Sequence, residues 1–411
     1  MPEFLVLADP HQARREWLAA MTHRVEAETL PTVDAVGRVL AEDVTAAEPI
    51  PGFRRSTVDG YAVRAGDTHG ASESLPAYLT LVGEVPMGAA APFSLGPGQA
   101  ALIHTGGMVP PGADAVVMLE HTQLSRADEV EVLRAVAVGE NIIEVGEDVA
   151  AGQVIVPAGR RLRSPEIGGL MALGRTHVRV ARRVRVGIIS TGDEVVPPDT
   201  RPLAPGQVRD INSYTLSAVV QQWAGEPVRY GIVPDDETAL LATARRALAE
   251  TDMVIITAGS SASTRDMTAR VIDRLGEPGV LAHGLRTKPG KPTILGVAQG
   301  KPVVGLPGNP VSALVNTQWL VVPALERLQG AEARPWPRWR AVLANHAPSE
   351  AGREEWIPVH LREEDGRLWA DVVFYKSNLI FRLVAADGLI RVPTDATGLP
   401  AGTEVDVFVL R

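Results

Sequence analysis

The sequence predicts a multidomain protein of the α/β plus β class. A chain of 411 residues is long enough for roughly two to four domains. Strands and helices alternate over residues 182–329, which is typical of a mostly parallel sheet with helices on both faces. Short apolar runs separated by glycine and proline indicate a β-rich domain at 48–149. Short alternating strands within 330–411 indicate a small C-terminal β domain.

The first segment of the chain predicts an amphipathic helix over 11–27, with Trp17, Leu18 and Met21 toward one side. A second helix is expected at about 165–173, after the β-rich domain. The α/β segment predicts strands at 184–190, 228–233, 253–257 and 302–306, and helices at 213–223, 237–250 and 311–328. Residues 331–337 indicate a linker.

Several residues mark the expected helix ends of the α/β segment. Asn212 and either Asp235 or Asp236 can cap the first two helices, and Gly225 is a stop signal for the first. For the third helix, Asn309 is the expected N-cap, followed by a proline that suits the first helical position.

Composition excludes several classes of function. The absence of cysteine excludes disulfide scaffolds, zinc ribbons, iron–sulfur clusters and thiol nucleophiles, and a cytoplasmic location is the default expectation. A formal net charge of −9 argues against nucleic acid as a partner. No apolar run is long enough to predict a transmembrane helix, and the first residues do not resemble a secretory signal. The histidines show no metal-ligand spacing.

Lysine is rare and unevenly placed. Of 40 basic residues only four are lysines: Lys288, Lys291, Lys301 and Lys376. Drift toward arginine explains the count but not the placement of Lys288 and Lys291 in one Pro/Gly-kinked loop. This pair suggests a site that needs compact ammonium groups, suitable for a tetrahedral oxyanion. We expect Lys288→Ala or Lys291→Ala to change stability little, because exposed loop substitutions usually do. Lys301 is compatible with a solvated turn.

Three loops that follow strands are candidate ligand sites, because ligands bind at the carboxyl ends of open α/β sheets. One holds Thr191, Gly192, Asp193 and Glu194, and an ordinary turn is the alternative. Another spans 258–266, with Gly259, Ser260, Ser261 and Asp266; a polar surface loop is the alternative. The last holds Pro307, Gly308, Asn309 and Ser312 at a helix start, which favours an anion but is also a common structural cap.

The β-rich domain offers two aspartates as oxygen ligands. Asp59 lies in Ser56–Tyr61, and Asp148 follows Gly146-Glu147. Such carboxylates can hold Mg²⁺, which prefers few carboxylates plus ligand phosphates. A turn is the plainer interpretation of Asp59-Gly60.

Taken together, the motifs resemble the family of MoeA-type molybdopterin molybdenumtransferases over nearly the whole chain. The resemblance is carried, in the family's order, by Ser56–Val63, by Thr105-Gly106 with 111–117, by Gly146-Glu147-Asp148, by Ser190–Val195, by Lys288–Pro292 and by Gly305–Ser312. It implies an elongated N-terminal linker domain (1–47 and 150–181), a β-rich domain (48–149), a molybdopterin-binding three-layer α/β domain (182–329) and a β-barrel-like C-terminal domain (330–411).

The resemblance also implies a function. Molybdate or tungstate would be inserted into adenylylated molybdopterin, with Mg²⁺-assisted release of AMP. A homodimer with sites at the subunit boundary is implied, as is a separate molybdopterin adenylyltransferase, since no such domain is evident here. No nucleic acid and no membrane are expected as partners.

Site residues follow from the matched motifs. Asp59, Asp148, Asp236 and Asp266 are the implied catalytic acids, and Asp59, Asp148 and Asp266 the implied metal ligands. Lys288 and Lys291 are implied catalytic and oxoanion-binding groups. Further oxoanion candidates are Ser312, Arg353, Lys376, Ser377 and Arg382. The 258–266 loop departs from the family pattern at Ser263, Thr264 and Arg265, which is expected to alter the Mg²⁺ or adenylate site.

Two other functions are compatible with the same sequence. A non-catalytic molybdopterin carrier or scaffold of the same fold would bind the pterin without turnover. A hydrolase or transferase for another nucleotide is the third hypothesis, because fold does not fix function.

Overall fold

A computed structural model describes residues 7–258 and 262–410, with the side chains of 262–265 left out of the description. The chain divides into two compact units. The first comprises Met1–Glu42, Ala158–Gly168 and Thr176–Arg411, and the second comprises Asp43–Pro157 and Gly169–Arg175.

Helices and strands alternate with many short turns. The α-helices are Pro10–Ala20, Ser164–Ala172, Asn212–Gln222, Glu237–Glu250, Ala262–Asp273, Pro310–Asn316, Val322–Leu328 and Phe381–Val384. Single turns of 3₁₀-helix lie at Thr32–Ala35, Ala65–Thr68 and Leu119–His121, and a π-helix lies at Thr317–Val321. Short paired strands outside the three large sheets are Ala27–Pro31, Val44–Thr45, Arg55–Ser56, Ile142–Ile143, Val154–Val156, His177–Ala181, Val195–Val196, Val208–Arg209, Ala347–Pro348 and Gly398–Leu399. No helix within the described ranges is long and apolar enough to cross a membrane.

The second unit is built on a six-stranded sheet, as the apolar runs predict. Its strand order is Ala115–Met118, Gly60–Val63, Gln99–Ile103, Ala77–Glu84, Glu129–Val132 and Thr122–Arg126. Alternate residues along the strands pack into two separate clusters, one around Val63 and Val117 and the other around Ala62 and Val116. This alternation is the period of two that strands impose on side chains.

The first unit contains the predicted α/β domain. Its sheet runs in the order Gly225–Val233, Val184–Thr191, Met253–Ala258, Lys301–Pro307, Ile294–Ala298 and Pro278–His283. The first four strands are parallel, and Ile294–Ala298 runs antiparallel to both of its neighbours, so the sheet is mostly parallel, as predicted. Helices cover both faces: Glu237–Glu250 and Ala262–Asp273 pack with one apolar cluster, while Pro10–Ala20, Asn212–Gln222 and the helices after residue 310 pack with the other.

Three helix predictions need correction. The helix predicted over 11–27 ends at Ala20, and a strand begins at Ala27. The helix predicted over 311–328 is interrupted by the π-helical turn Thr317–Val321. Asn212 is the first helical residue rather than the cap, and Asp210 accepts the hydrogen bond from the Ser213 N–H instead.

The C-terminal part of the first unit is a closed five-stranded barrel. Strand Glu354–Glu364 pairs with both Arg367–Val372 and Gly388–Val392, and the circle closes through Arg338–Leu343 and Glu404–Val409. The short strand Thr287–Lys288 of the lysine loop adds to the outside of Glu354–Glu364.

The predicted linker at 331–337 is anchored to this barrel. The Trp336 ring stacks on Trp356 at 5.6 Å between centroids, and its indole N–H donates to the Val409 carbonyl at 2.9 Å. The prolines of this segment predicted a linker and gave no indication of the contact between Trp336 and Trp356.

Candidate functional site

The carboxyl ends of the parallel strands present acidic side chains, but not every predicted residue points outward. Thr191 is buried, and its hydroxyl donates to the Thr257 carbonyl at 3.2 Å. The proton of its hydroxyl is therefore directed to the sheet, and its role in binding a substrate stays a prediction. Asp193 and Glu194 are exposed just beyond it, after Gly192, whose φ of +135° favours glycine.

Asp193, Glu194 and Asp235 form an acidic group at this edge. The Asp193 carboxylate accepts a hydrogen bond from the Asp235 N–H at 3.2 Å. Burial, together with the negative charges of Asp193 and Glu194, raises the pKa of Asp235. A nearby cation, free or bound to a phosphate, would stabilise the charged form of a carboxylate in such surroundings.

Asp236 is confirmed as a helix cap. Its carboxylate accepts from the Ala239 N–H at 2.7 Å and begins helix Glu237–Glu250. The side chain is exposed, so its second oxygen faces solvent. A structural cap and a catalytic acid are therefore compatible roles for this residue.

The lysine loop is anchored by a residue that the sequence analysis missed. Asn316 is fully buried, and its amide donates to the Pro289 carbonyl at 3.2 Å and to the Ser312 carbonyl at 2.7 Å. A Cβ on Gly290 would lie 1.9 Å from the same amide, so only glycine allows this approach. Asn316 thus ties the lysine loop to the helix that starts at Pro310.

The two lysines of the loop have different surroundings. The Lys288 ammonium lies 3.0 Å from the Glu355 carboxylate, which is buried in the barrel wall. Lys291 is exposed, and its ammonium has no hydrogen bond or ion pair among the described residues. The sequence therefore did not predict the ion pair that Lys288 makes, although its side chain is partly exposed as expected.

The loop at 307–312 joins the same site from the α/β side. Pro310 occupies the first turn of its helix, as predicted, and Asn309 is the N-cap. The Asn309 side chain does not cap the helix, however, but donates to the Ser377 hydroxyl at 3.0 Å. The Ser377 carbonyl accepts from the Val311 N–H at 3.1 Å, so the barrel segment lies directly on this helix start.

Gly308 is held in place by a second residue that the sequence analysis missed in this role. The Asn212 amide donates to the Gly308 carbonyl at 2.8 Å. Pro307 and Ser312 are buried beside it. The position of Asn212 predicts a cap instead, because an asparagine before a helix has that role most often.

The other oxoanion candidates of the barrel are placed unequally. Arg353 directly precedes Glu354, which pairs with Thr287 of the lysine loop. The Arg353 guanidinium lies 3.2 Å from the exposed Glu350 carboxylate. Ser377 reaches the helix start described above. Lys376 and Arg382 are exposed, and the described residues give neither side chain a partner within the site.

In the second unit, the Asp59 carboxylate is held in a fixed position, from which it could bind a cation. Its Oδ1 accepts from the Thr105 N–H at 2.7 Å and from the Thr105 hydroxyl at 3.0 Å. These hydrogen bonds lower the pKa of Asp59 and keep it ionised. Asp148 is exposed on the loop whose N–H groups pair with Ile50.

Four predicted site residues belong to the segment 258–266. Gly259, Ser260 and Ser261 lie outside the described residues. Asp266 is exposed on helix Ala262–Asp273. Within the described ranges, no group of three or more His, Cys, Asp or Glu residues could hold a metal ion by itself.

Comparison with known proteins covers almost the entire chain. Residues 9–174 match the MoeA N-terminal region (domains I and II), 187–327 match a probable molybdopterin binding domain, and 340–410 match the MoeA C-terminal region (domain IV). A molybdopterin molybdenumtransferase from a Nostoc species is 35% identical over 92% of this chain and 87% of its own length. Molybdopterin molybdenumtransferase 2 of Mycobacterium tuberculosis is 34% identical over 97% of this chain and 99% of its own. The crystal structure of a molybdopterin biosynthesis MoeA protein from Pyrococcus horikoshii aligns with a TM-score of 0.86 and 34% identity, covering 98% of this chain and 100% of that one.

Proposed function

The chain belongs to the MoeA family of molybdopterin molybdenumtransferases, and from that premise we propose that it inserts molybdate or tungstate into adenylylated molybdopterin with release of AMP. In this reaction water cleaves the phosphoanhydride of the adenylylated pterin into AMP and the pterin phosphate, and the two dithiolene sulfurs displace two oxygens of the oxoanion, which leave as water. The observation that carries the proposal is the free Lys291 ammonium beside the paired Lys288, on a loop fixed by Asn316.

The oxoanion is bound by the lysine loop. Two ammonium groups can donate charge-assisted hydrogen bonds to a tetrahedral dianion. Ser312, Ser377 and Arg353 lie on the segments that meet this loop and are proposed as further contacts. Lys376 and Arg382, being exposed on the barrel, are proposed as outer charges that attract the anion.

The pterin and adenylate bind along the carboxyl edge of the sheet. Asp193 and Glu194 face solvent there and can accept hydrogen bonds from the ring N–H groups of the pterin. Ser312 and the segment 259–261 are proposed for phosphate contacts.

Mg²⁺ is the proposed cofactor, and the chemistry of the donors fits it. Asp59, Asp148 and Asp266 are exposed carboxylates, and Asp59 is held ionised by Thr105. A cation that takes few carboxylates plus substrate phosphates needs no closed cage of side chains. When bound, Mg²⁺ would neutralise charge on the phosphates as the anhydride breaks.

The chain's own residues perform the remaining steps. Lys291 and Lys288 orient the oxoanion toward the pterin sulfurs, and Asp236 is a candidate for accepting a proton at its free oxygen. A homodimer and a separate adenylyltransferase that supplies the adenylylated pterin are part of the proposal.

The proposal is tested with purified protein, adenylylated molybdopterin and Mg²⁺. We expect AMP release that depends on molybdate or tungstate, and little release in Lys291→Ala. Release of no AMP with either oxoanion would overturn the proposal. Pterin binding without turnover, unaffected by Asp59→Ala, would identify a carrier instead.

A further inference from the structure

We propose that Glu355 is a positioning residue for Lys288, which fixes the ammonium group of this lysine and limits how tightly the loop binds an oxoanion. The inference rests on the proposed function. It concerns a residue of the barrel wall, on strand Glu354–Glu364.

The pairing of Lys288 with Glu355 is built into the backbone. Strand Thr287–Lys288 lies parallel to the start of strand Glu354–Glu364, with Lys288 opposite Glu355. The Glu354 N–H donates to the Arg286 carbonyl at 2.9 Å and fixes this register. Since neighbouring residues in register present their side chains on the same face of a sheet, the ammonium and the carboxylate meet as a consequence of the fold.

The Glu355 carboxylate has little freedom to move away. Its side chain is only 6% exposed, against 41% for Lys288. Oε1 lies 3.0 Å from the Lys288 ammonium, and Oε2 accepts from the Ser349 hydroxyl at 2.7 Å. Burial and the nearby Glu355 charge raise the pKa of Tyr375, whose hydroxyl donates to the Trp356 carbonyl. Both oxygens of the Glu355 carboxylate are therefore held by neighbouring side chains.

This arrangement changes the charge that an oxoanion meets. Lys288 and Lys291 carry two positive charges, and Glu355 removes one of them. An ammonium has three N–H donors, so Lys288 can hold Glu355 and still donate to a bound oxoanion. The carboxylate repels that oxoanion. A charge that opposes the starting state and the transition state equally raises the KM and leaves kcat unchanged.

Glu355→Gln isolates the charge, because glutamine keeps an oxygen that can accept from Lys288. We expect this variant to bind sodium molybdate about three- to tenfold more tightly in isothermal titration calorimetry, as one opposing charge at a partly exposed site is removed. The gain should shrink as salt is added. Turnover assays should show a lower KM for molybdate without a matching rise in kcat.

A matched control lies on the same strand. Glu364 ends strand Glu354–Glu364 and pairs with Arg362 at the surface. Glu364→Gln makes the same change of charge roughly 30 Å along the strand from Glu355. The Kd for molybdate should stay within about twofold of the wild-type value. A twofold change corresponds to only about 0.4 kcal/mol of binding free energy.

A stability measurement tests the positioning part. Lys288→Met leaves Glu355 buried without its counter-charge and should lower the melting temperature, because an unpaired buried charge is costly. Adding Glu355→Gln should restore the melting temperature but not molybdate binding.

The outcomes separate this inference from the function on which it rests. If the wild type binds molybdate but Glu355→Gln binds it equally or more weakly, the inference is overturned and the proposed function stands. The inference is likewise overturned, and the function retained, if Lys288→Met melts like the wild type. If the wild type neither binds molybdate nor releases AMP, both are overturned.

Discussion

The two edges of the α/β sheet differ in how their charges are satisfied. At the carboxyl edge, Asp193, Asp236 and Lys291 are exposed and keep polar atoms free for a ligand. At the amino edge, a cavity of about 630 Å³ is lined by basic and acidic side chains, among them Arg182, Asp252 and Lys301. Those innermost charges already have protein partners. The difference teaches that the largest cavity here is lined by charges that are already paired, whereas the proposed ligand site is lined by exposed ones.

Asp252 illustrates the saturated edge. Its buried carboxylate accepts two hydrogen bonds from Arg182, at 2.7 and 2.8 Å, one from the Arg185 N–H at 2.9 Å, and lies 2.8 Å from His23 Nε2. Lys301, the other inner charge, donates to the carbonyls of Leu248 and Thr251 at 2.8 and 2.7 Å. It therefore closes the end of a helix and is not the solvated turn residue that its sequence suggested.

The comparison predicts the largest loss of stability at Asp252. Asp252→Ala removes the buried carboxylate that pairs with the half-buried Arg182 guanidinium, and we expect the free energy of unfolding to fall by about 3 kcal/mol. Thermal melting measures this loss. Molybdate binding by the folded variant should match the wild type, and loss of binding without loss of stability would contradict the assignment of this edge.

The same residue predicts how stability depends on pH. Burial opposes ionisation of Asp252, but the hydrogen bonds from Arg182, Arg185 and His23 outweigh it and lower its pKa to about 2. Because the folded pKa lies below the unfolded value of about 3.9, the stabilisation is present above about pH 4 and is lost as the pH falls toward 2. Its size is about 2–3 kcal/mol.

Melting curves from pH 6 to pH 2 for the wild type and Asp252→Asn check this prediction. The difference in stability between the two proteins should narrow as the pH falls. Hydrogen bonds from Arg163 also lower the pKa of Glu166 to about 2, against the effect of burial. Glu166 is present in both proteins, so its contribution cancels in the difference. A difference that is constant over this range would refute the role of Asp252.

At the carboxyl edge we expect the opposite pattern for Lys291→Ala. The ammonium is exposed, so stability should change by no more than about 0.5 kcal/mol. Because a charge-assisted contact to the oxoanion is lost, the KM for molybdate should rise about tenfold or more. A sharp drop in the melting temperature would show instead that the lysine is structural.

Lys301→Met makes the same charge change at the amino edge. Loss of its two hydrogen bonds to carbonyls should lower stability by about 1–2 kcal/mol. The KM for molybdate should stay at the wild-type value, which steady-state AMP release measures. A raised KM would mean that the two edges do not differ as described.

The smallest effect is expected for an exposed pair at the rim of the same cavity. Arg185 lies 3.4 Å from Glu226, and both side chains are about half exposed. Glu226→Gln should change stability by less than about 0.5 kcal/mol, because exposed ion pairs contribute little. A larger fall in the melting temperature would show that this pair contributes to stability as the buried contacts of Asp252 do.

Much of this picture is readable from the sequence because it depends on local patterns. The apolar strands, the Asp236 cap and the proline at position 310 follow from neighbours in the chain, and each is confirmed. The order of motifs identified the family, which carries the fold.

What the sequence could not predict depends on contacts between distant segments. Asn316 anchors Pro289 from 27 residues away, and Glu355 meets Lys288 through pairing between a loop strand and the barrel. The Asn309 side chain turns to Ser377, 68 residues away, although its position predicts a cap. The period of a single segment carries no information about such partners. The assignment of Asp59, Asp148 and Asp266 to Mg²⁺ stays a prediction.

One crystallographic measurement tests the central claim most directly. Crystals of the full chain soaked in tungstate would be examined for anomalous scattering from the metal. The account predicts a peak within hydrogen-bond distance of the ammonium groups of Lys288 and Lys291, and loss of that peak in Lys291→Ala. A peak in the cavity beside Arg182 and Lys301, with none at the lysine loop, would contradict it.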